Sequence, residues 1–208
     1  MKKTRYVLPL AVLLAAIALP AAAGSITTTT SWNDGGTGAM FNATIGGTSL
    51  SVTSLDLFDT TTSPLTLDVY IKTGSYVGFA TTPAAWTLVS ATSITGLGSA
   101  SLTPVNVTPF TLAAGQTYGI YFVLSNVSGS NMLYTTGSAT VSNANLTLTL
   151  GEGTNGLFGA TSVFPGREWD GTINYSLLSS VPEPAPVALL GLAAPGLWLL
   201  RRRYLRKY

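Results

Sequence analysis

The sequence predicts an all-β protein: an antiparallel β-sandwich of jelly-roll or immunoglobulin-like kind, flanked by one apolar helix at each end. Three observations predict it. In Leu65-Thr66-Leu67-Asp68-Val69-Tyr70-Ile71-Lys72 every odd position is aliphatic and every even one polar or amphipathic, which places one face in a core and the other toward water. Turn-forming Gly, Pro, Ser and Asn residues recur at short intervals, and helical periodicity is confined to the two apolar ends.

The elements follow in order. Strands are expected near 40–45, 51–58, 65–72, 85–94, 103–112, 117–124, 132–136, 146–150 and 168–177. The stretch 117–124 is apolar on both faces and reads as a central strand, whereas Leu146, Leu148 and Leu150 alternate with Thr147 and Thr149 in a half-buried one. Turns are expected at Gly46-Gly47, Ser63-Pro64, 96–98, Ala114-Gly115, Gly129-Ser130 and 151–156. The strand order is left open.

The two ends read as addresses. Lys2, Lys3 and Arg5 form a positive region, 7–19 an apolar one, and Pro20 then precedes Ala21-Ala22-Ala23. This is the layout of a secretory signal peptide, residues 1–23, with small residues Ala21 and Ala23 at the cleavage site and a mature start at Gly24. It implies the Sec translocon and signal peptidase as partners. At the other end Val181-Pro182-Glu183-Pro184 precedes an uncharged apolar run, 185–200, followed by Arg201, Arg202, Arg203, Arg206 and Lys207. A helix over 185–200 is roughly 24 Å long against an apolar bilayer core of about 30 Å, a short span that Pro195 further interrupts. The basic residues after it form a membrane stop and stay on the cytoplasmic side, which places the preceding chain outside.

The motif, span and basic tail of 181–208 resemble the PEP-CTERM sorting signal of exported bacterial proteins. That resemblance implies processing near Pro182-Glu183-Pro184 by an exosortase-like membrane enzyme and a Gram-negative host that makes exopolysaccharide. It also implies O-glycosylation of a Ser/Thr-rich surface. The stretch from about 40 to 175 is similar to an uncharacterised extracellular sandwich module of bacterial secreted proteins. The likeness rests on Gly74-Ser75-Tyr76-Val77-Gly78-Phe79, Ala85-Trp86-Thr87-Leu88, Leu112-Ala113-Ala114-Gly115-Gln116-Thr117-Tyr118-Gly119 and Trp169-Asp170-Gly171-Thr172-Ile173. It implies the fold and the extracellular setting, with no activity attached.

Charge is best read without the addresses. The whole chain carries +2, but between 24 and 181 only Lys72 and Arg167 stand against Asp34, Asp56, Asp59, Asp68, Glu152, Glu168 and Asp170, a net charge of −5. The exported part has no basic patch, which excludes nucleic acid as a partner. Its polar surface must be built from Thr, Ser, Asn and Gly. With no Cys the domain, 24–180, has no disulfide and depends on an ordinary core. The lack of His, together with the lack of Cys, removes the commonest general base and the usual ligands of zinc, copper and haem.

No constellation selects a catalytic residue. Gly151-Glu152-Gly153-Thr154-Asn155-Gly156 has dinucleotide-binding spacing, but 157–165 is loop-like where a helix must open to receive the pyrophosphate. Hydrolysis by paired carboxylates has Glu152, Glu168, Asp170 and Asp34 to draw on, and no spacing selects two of them. No cofactor is implied; among metals calcium fits best, with Asp56 and Asp59, or Asp34 and nearby turn carbonyls, as contributors. Sugar contact by ring stacking has Trp32, Tyr76, Trp86, Tyr134 and Trp169 available. Trp86 and Trp169 sit in strand patterns and are assigned to the core, while Trp32 and Tyr76 are expected to be exposed and are the candidate ligand contacts. Asn-x-Ser/Thr triplets begin at Asn42, Asn106, Asn126, Asn145 and Asn174 and are read as compositional.

The resulting expectation is a non-enzymatic structural or interaction protein of the cell envelope or extracellular biofilm matrix, transiently anchored in the inner membrane, contacting polysaccharide or further copies of itself. A non-catalytic carbohydrate-binding module is the alternative, and a carboxylate-dependent glycoside hydrolase the second alternative.

Overall fold

The computed structural model describes residues 22–126 and 132–178, which form two packed antiparallel sheets. The smaller has four strands in the order β1 (Ala23–Thr27), β13 (Gly171–Leu177), β4 (Leu50–Leu57) and β7 (Thr103–Leu112). The larger runs β2 (Asp34–Gly36), β9 (Met132–Thr136), β12 (Ser162–Trp169), β11 (Leu146–Asn155), β3 (Gly38–Ile45), β8 (Thr117–Leu124), β5 (Pro64–Thr73) and β6 (Thr87–Thr95). A short β10 (Thr140–Ser142) adds to β11. The all-β, antiparallel, sandwich-like class expected from the alternation is therefore the observed one.

The period-two pattern does what it should. Leu65, Leu67 and Val69 of β5, Ile120, Phe122 and Leu124 of β8, and Phe41, Ala43 and Ile45 of β3 point into one core. Val52, Leu55 and Leu57 of β4 and Ile173 and Tyr175 of β13 meet them from the small sheet. Trp169 lies at its centre, stacked on Phe41 at 5.8 Å and edge-on to Phe122 at 4.9 Å. β8 is central, between β3 and β5, as its two apolar faces require.

Several expected bounds change. The glycine run 151–156 is not a loop through its length: β11 continues to Asn155, and only Gly156, with φ of 74°, turns the chain. The glycines are needed for close approach instead. A Cβ on Gly151 would collide with the Tyr76 hydroxyl, and one on Gly153 would lie 2.9 Å from the Tyr134 ring. The expected strand 168–177 is two strands, because the chain leaves the large sheet at Trp169 and enters the small one at Gly171. Residue 85 ends a 3-10 turn, Pro83–Ala85, and β6 starts after it. Strands β1, β2, β10 and most of β12 carry too few apolar residues to announce themselves.

β11 also organises what lies beyond it. Its register against β3 shifts between Leu150 and Glu152; residues before the shift pair with β10, and residues after it pair with β12. A β-bulge thus lets one strand serve two neighbours along one edge. The second of these carries β9 and β2, and with them Asp34, Tyr134 and Arg167.

Candidate functional site

Part of the outer face of the large sheet is closed by its own aromatic residues, while Thr117, Thr44, Thr147 and Ser142 form an outward hydroxyl row on the rest of it. Met40, Tyr76, Trp86, Tyr121, Val123 and Phe158 form a second buried cluster there. Tyr76 arrives from the β5–β6 connection and fits over Gly119 and Gly151, its backbone N–H donating to Asn42 Oδ1 at 3.0 Å. It is 7% exposed, so the expectation of an exposed Tyr76 is corrected: a Gly-flanked loop usually lies open, but here two strand glycines leave room for the ring. Burial, with Glu152 nearby, pushes its hydroxyl up to about 12. Trp86 is buried as expected, its Nε1 donating to the Phe79 carbonyl at 2.9 Å.

Tyr121 ties the cluster to the following turn. Its hydroxyl lies 3.0 Å from Thr154 Oγ1 and accepts the Phe158 backbone N–H at 3.1 Å. Phe158 is held at φ of 53°, a left-handed conformation costly for a bulky residue, with its ring packed edge-on to Tyr70 at 4.9 Å. Burial takes the Tyr121 hydroxyl up to about 12.

The outer face of the small sheet carries no such cluster. Cross-strand register sets Thr27, Thr172, Asp56 and Pro104 in one row, Ser25, Asn174, Ser54 and Asn106 in the next, and Ala23, Ser176, Ser51 and Thr111 in a third. Their strand neighbours Ile26, Ile173, Leu55 and Val105 fill the core, so these rows face outward. Thr27 and Thr172 hydroxyls lie 2.9 Å apart, and Asn174 Nδ2 donates to Asp56 Oδ2 at 3.0 Å. At the register shift around Thr53 lies a shallow groove lined by Ala23, Gly24, Ser25, Thr53, Asn174, Tyr175 and Ser176. No ring stands on these rows.

A second, smaller groove lies where β2, β9, β11 and β12 meet, about 210 Å³ in volume and lined by Asp34, Gly35, Tyr134, Asn155, Phe164 and Arg167. Arg167 Nε sits 2.8 Å from Asp34 Oδ2, and the guanidinium lies 5.9 Å from the Phe164 ring centre. Tyr134 is buried, its hydroxyl pushed up to about 12 by burial and by Asp34, against the lowering effect of Arg167. Asn155 Oδ1 is shielded from water with no hydrogen-bond partner among the described residues. Trp32, 40% exposed as expected, precedes Asn33, whose side chain accepts the Thr136 N–H at 2.9 Å.

The four acids weighed as a hydrolytic pair are sorted by the fold. Asp34 is taken by Arg167, and Glu152 lies across the sheet beside Tyr76, its carboxyl raised by burial. Glu168 and Asp170 come together at the corner between β12 and β13, both buried. Asp56 and Asp59, weighed together for calcium, have separate partners: Asp56 accepts from Asn174, Asp59 from the Thr61 N–H at 3.0 Å and the Thr103 hydroxyl at 2.5 Å. Among the described residues no three His, Cys, Asp or Glu side chains are grouped for a metal.

Ala23 opens β1 and pairs with Ser176. Ala21, Pro182, Glu183, Pro184 and Arg201 to Arg203 lie outside the described residues, as do the expected helices. No helix among the described residues is long and apolar enough to cross a membrane.

No protein-family model matches the chain, and no curated protein matches it. Among solved structures it is similar to the VP2 subviral particle of infectious bursal disease virus, at 18% identity and a TM-score of 0.27, over 96% of this chain and 54% of that one. The structure of the Gx strain of that virus follows, at 14% identity and a TM-score of 0.23, over 90% of this chain and 51% of that one. The chain spans about half the length of these neighbours, and at such scores the likeness carries no argument about fold detail or function.

Proposed function

We propose that the protein is exported, processed at Pro182-Glu183-Pro184 by an exosortase-like enzyme, and displayed at the cell surface or in an exopolysaccharide matrix, where it acts as a non-enzymatic structural or interaction module. The sandwich, of jelly-roll or immunoglobulin kind, is the display platform. The observation that carries the reading is the outer face of the small sheet: three cross-strand rows made of hydroxyl and amide side chains apart from Ala23, Pro104 and the one charge, Asp56. Such a face offers donors and acceptors at the spacing of the strands, about 4.8 Å, and suits a hydrated polymer better than an apolar or charged partner. Asn106 and Asn174 stand in its middle row.

The test has two arms. Intact mass of protein from the envelope and medium is expected to show loss of 1–23 and of the segment after the sorting motif; an intact C-terminus in the membrane overturns processing. Retention on the host's own exopolysaccharide is expected to fall when Ser54 and Asn174 are both changed to Ala, and unchanged retention overturns the role of this face.

A carbohydrate-binding reading is favoured by one observation of its own, the groove at Arg167, lined by the Phe164 ring and by Asn155, whose Oδ1 has no hydrogen-bond partner among the described residues. Its volume suits one small polar group, such as a terminal sugar unit. Loss of binding in Asn155→Ala with the small-sheet face intact would move the function there.

A further inference from the structure

Glu168 and Asp170 flank Trp169 at the point where the chain crosses from the large sheet to the small one. Trp169 turns into the core, and the two carboxylates are buried with it, Glu168 at 8% and Asp170 at 0% exposure. Each is held by hydrogen bonds, Asp170 by the Thr135 backbone as well as its hydroxyl. Glu168 Oε1 accepts the Ala139 N–H at 2.7 Å, and Asp170 Oδ2 accepts the Thr135 hydroxyl at 2.8 Å. The Thr29 hydroxyl donates to Glu168 Oε2 at 3.3 Å, and Gly137 lies so close to Glu168 that a Cβ there would displace the carboxylate.

Two things are missing from this corner. Asp170 Oδ1 is shielded from water and has no hydrogen-bond partner among the described residues. No described cation answers the charge either, because Arg167 is engaged with Asp34 and Lys72 donates to the carbonyls of Thr73 and Ser75. Buried charges are paired, bound to metal or neutralised, and two adjacent carboxylates left to themselves are costly. Asp59, equally buried, has both of its oxygens hydrogen-bonded, as Glu168 does, which leaves Asp170 Oδ1 as the one carboxylate oxygen of this corner without a described partner.

We propose that Glu168 and Asp170 bind a calcium ion, through Asp170 Oδ1 and the Glu168 carboxylate, with the half-buried Thr29 and Thr135 hydroxyls alongside and water completing the shell. Every donor is a hard oxygen, the two charges balance a dication, and no nitrogen or sulfur is at hand to favour a softer metal. Two carboxylates and neutral oxygens make a weak site, in the range of about 10⁻⁴–10⁻³ M that extracellular calcium modules use. The ion would clamp β12 to β13 and both to the segment carrying Thr29, joining the two sheets at their corner. The site differs from Asp56 and Asp59, which the fold keeps for internal hydrogen bonds.

The experiment is calorimetric titration of the purified full-length chain, freed of metal with EDTA and dialysed, with CaCl2, together with thermal unfolding in EDTA and in 10 mM CaCl2. One site with Kd of about 10⁻⁴–10⁻³ M is expected, and 10 mM CaCl2 should raise the folding equilibrium constant roughly 10- to 100-fold. Asp170→Asn and Glu168→Gln should each weaken calcium binding at least about tenfold while unfolding in EDTA at or above the wild-type temperature, since each removes an uncompensated charge. No calcium response in the wild type up to 10 mM overturns the proposal; a response that survives both substitutions overturns it by placing the ion elsewhere. If neither variant folds, Tb³⁺ luminescence excited through tryptophan decides: emission displaced by CaCl2 and lost in Trp169→Phe supports the site, and emission unchanged in that variant overturns it.

Discussion

The two outer faces of this sandwich spend their sequence differently. On the large sheet, the part of the face around Tyr121 is covered by rings brought in from the β5–β6 connection and from the turn at Phe158, and only the end carrying Thr44 and Thr117 stays polar and open. On the small sheet, Thr, Ser and Asn rows stand bare, tied to one another by bonds such as Thr27 to Thr172. Burial of rings is worth several kcal/mol per side chain, whereas exposed hydroxyls contribute little to folding because water serves them as well. The difference teaches that the ring-covered part of the large sheet is part of what holds the fold together and that the polar rows of the small sheet are free to be used.

The largest effect that would sharpen this contrast is on the covered face. Trp86→Ala removes a ring that sits 5.9 Å from Tyr121 and 6.3 Å from Phe158 and breaks its bond to the Phe79 carbonyl. A loss of about 3–5 kcal/mol is expected in urea unfolding. A change below about 1 kcal/mol would mean that the aromatic layer is decoration and the two faces are alike.

The corner joining the faces gives the next effect. Burial pushes the Asp170 carboxyl up to about 6, helped by Glu168 and opposed by the Thr135 hydroxyl. A raised carboxyl binds its proton more tightly when folded, so its contribution is fully present below the unfolded value near 4 and is lost as pH rises through about 6. In EDTA, the wild type should therefore lose about 3 kcal/mol between pH 4 and 7 relative to Asp170→Asn, and stay level above that. Parallel pH profiles of the two proteins would place the shift elsewhere.

Much of the architecture could be read from the chain, and the reasons it stopped are specific. Strands 103–112, 117–124 and 132–136 coincide with β7, β8 and β9, because each alternates or runs apolar against a core. β2, with sequence Asp-Gly-Gly, has no pattern to read, and it exists because β9 offers it an edge. Gly151 and Gly153 look like a loop, yet they are strand residues cleared for Tyr76 and Tyr134, whose rings come from stretches far away in sequence. For the same reason Tyr76 could not be assigned as buried. Asp170 and Glu168 read as scattered acids in the sequence; what it does not show is that the segments carrying Thr29, Thr135, Gly137 and Ala139 close over the side of the strand opposite Trp169 and bury both carboxylates.

The smallest effect on stability tests the bare face. Thr172 is half-buried, its hydroxyl beside Thr27 and its row completed by Asp56 and Pro104. Thr172→Val keeps the β-branched shape that a strand prefers and removes a donor and an acceptor, so unfolding should change by no more than about 0.5 kcal/mol. If the row is an interaction surface, the same substitution should weaken retention on the host polysaccharide several-fold, because a partner group seated against the lost hydroxyl is left without its hydrogen bond. A matched pair decides the point: Trp86→Ala, assayed at a temperature where it is still folded, should bind as the wild type does, while Thr172→Val should be as stable as the wild type and bind less. The reverse pattern, with binding lost on the aromatic face and kept on the polar one, would exchange the roles given to the two faces. It would also leave the hydroxyl rows explained by solubility alone, which so weakly charged a domain needs in any case.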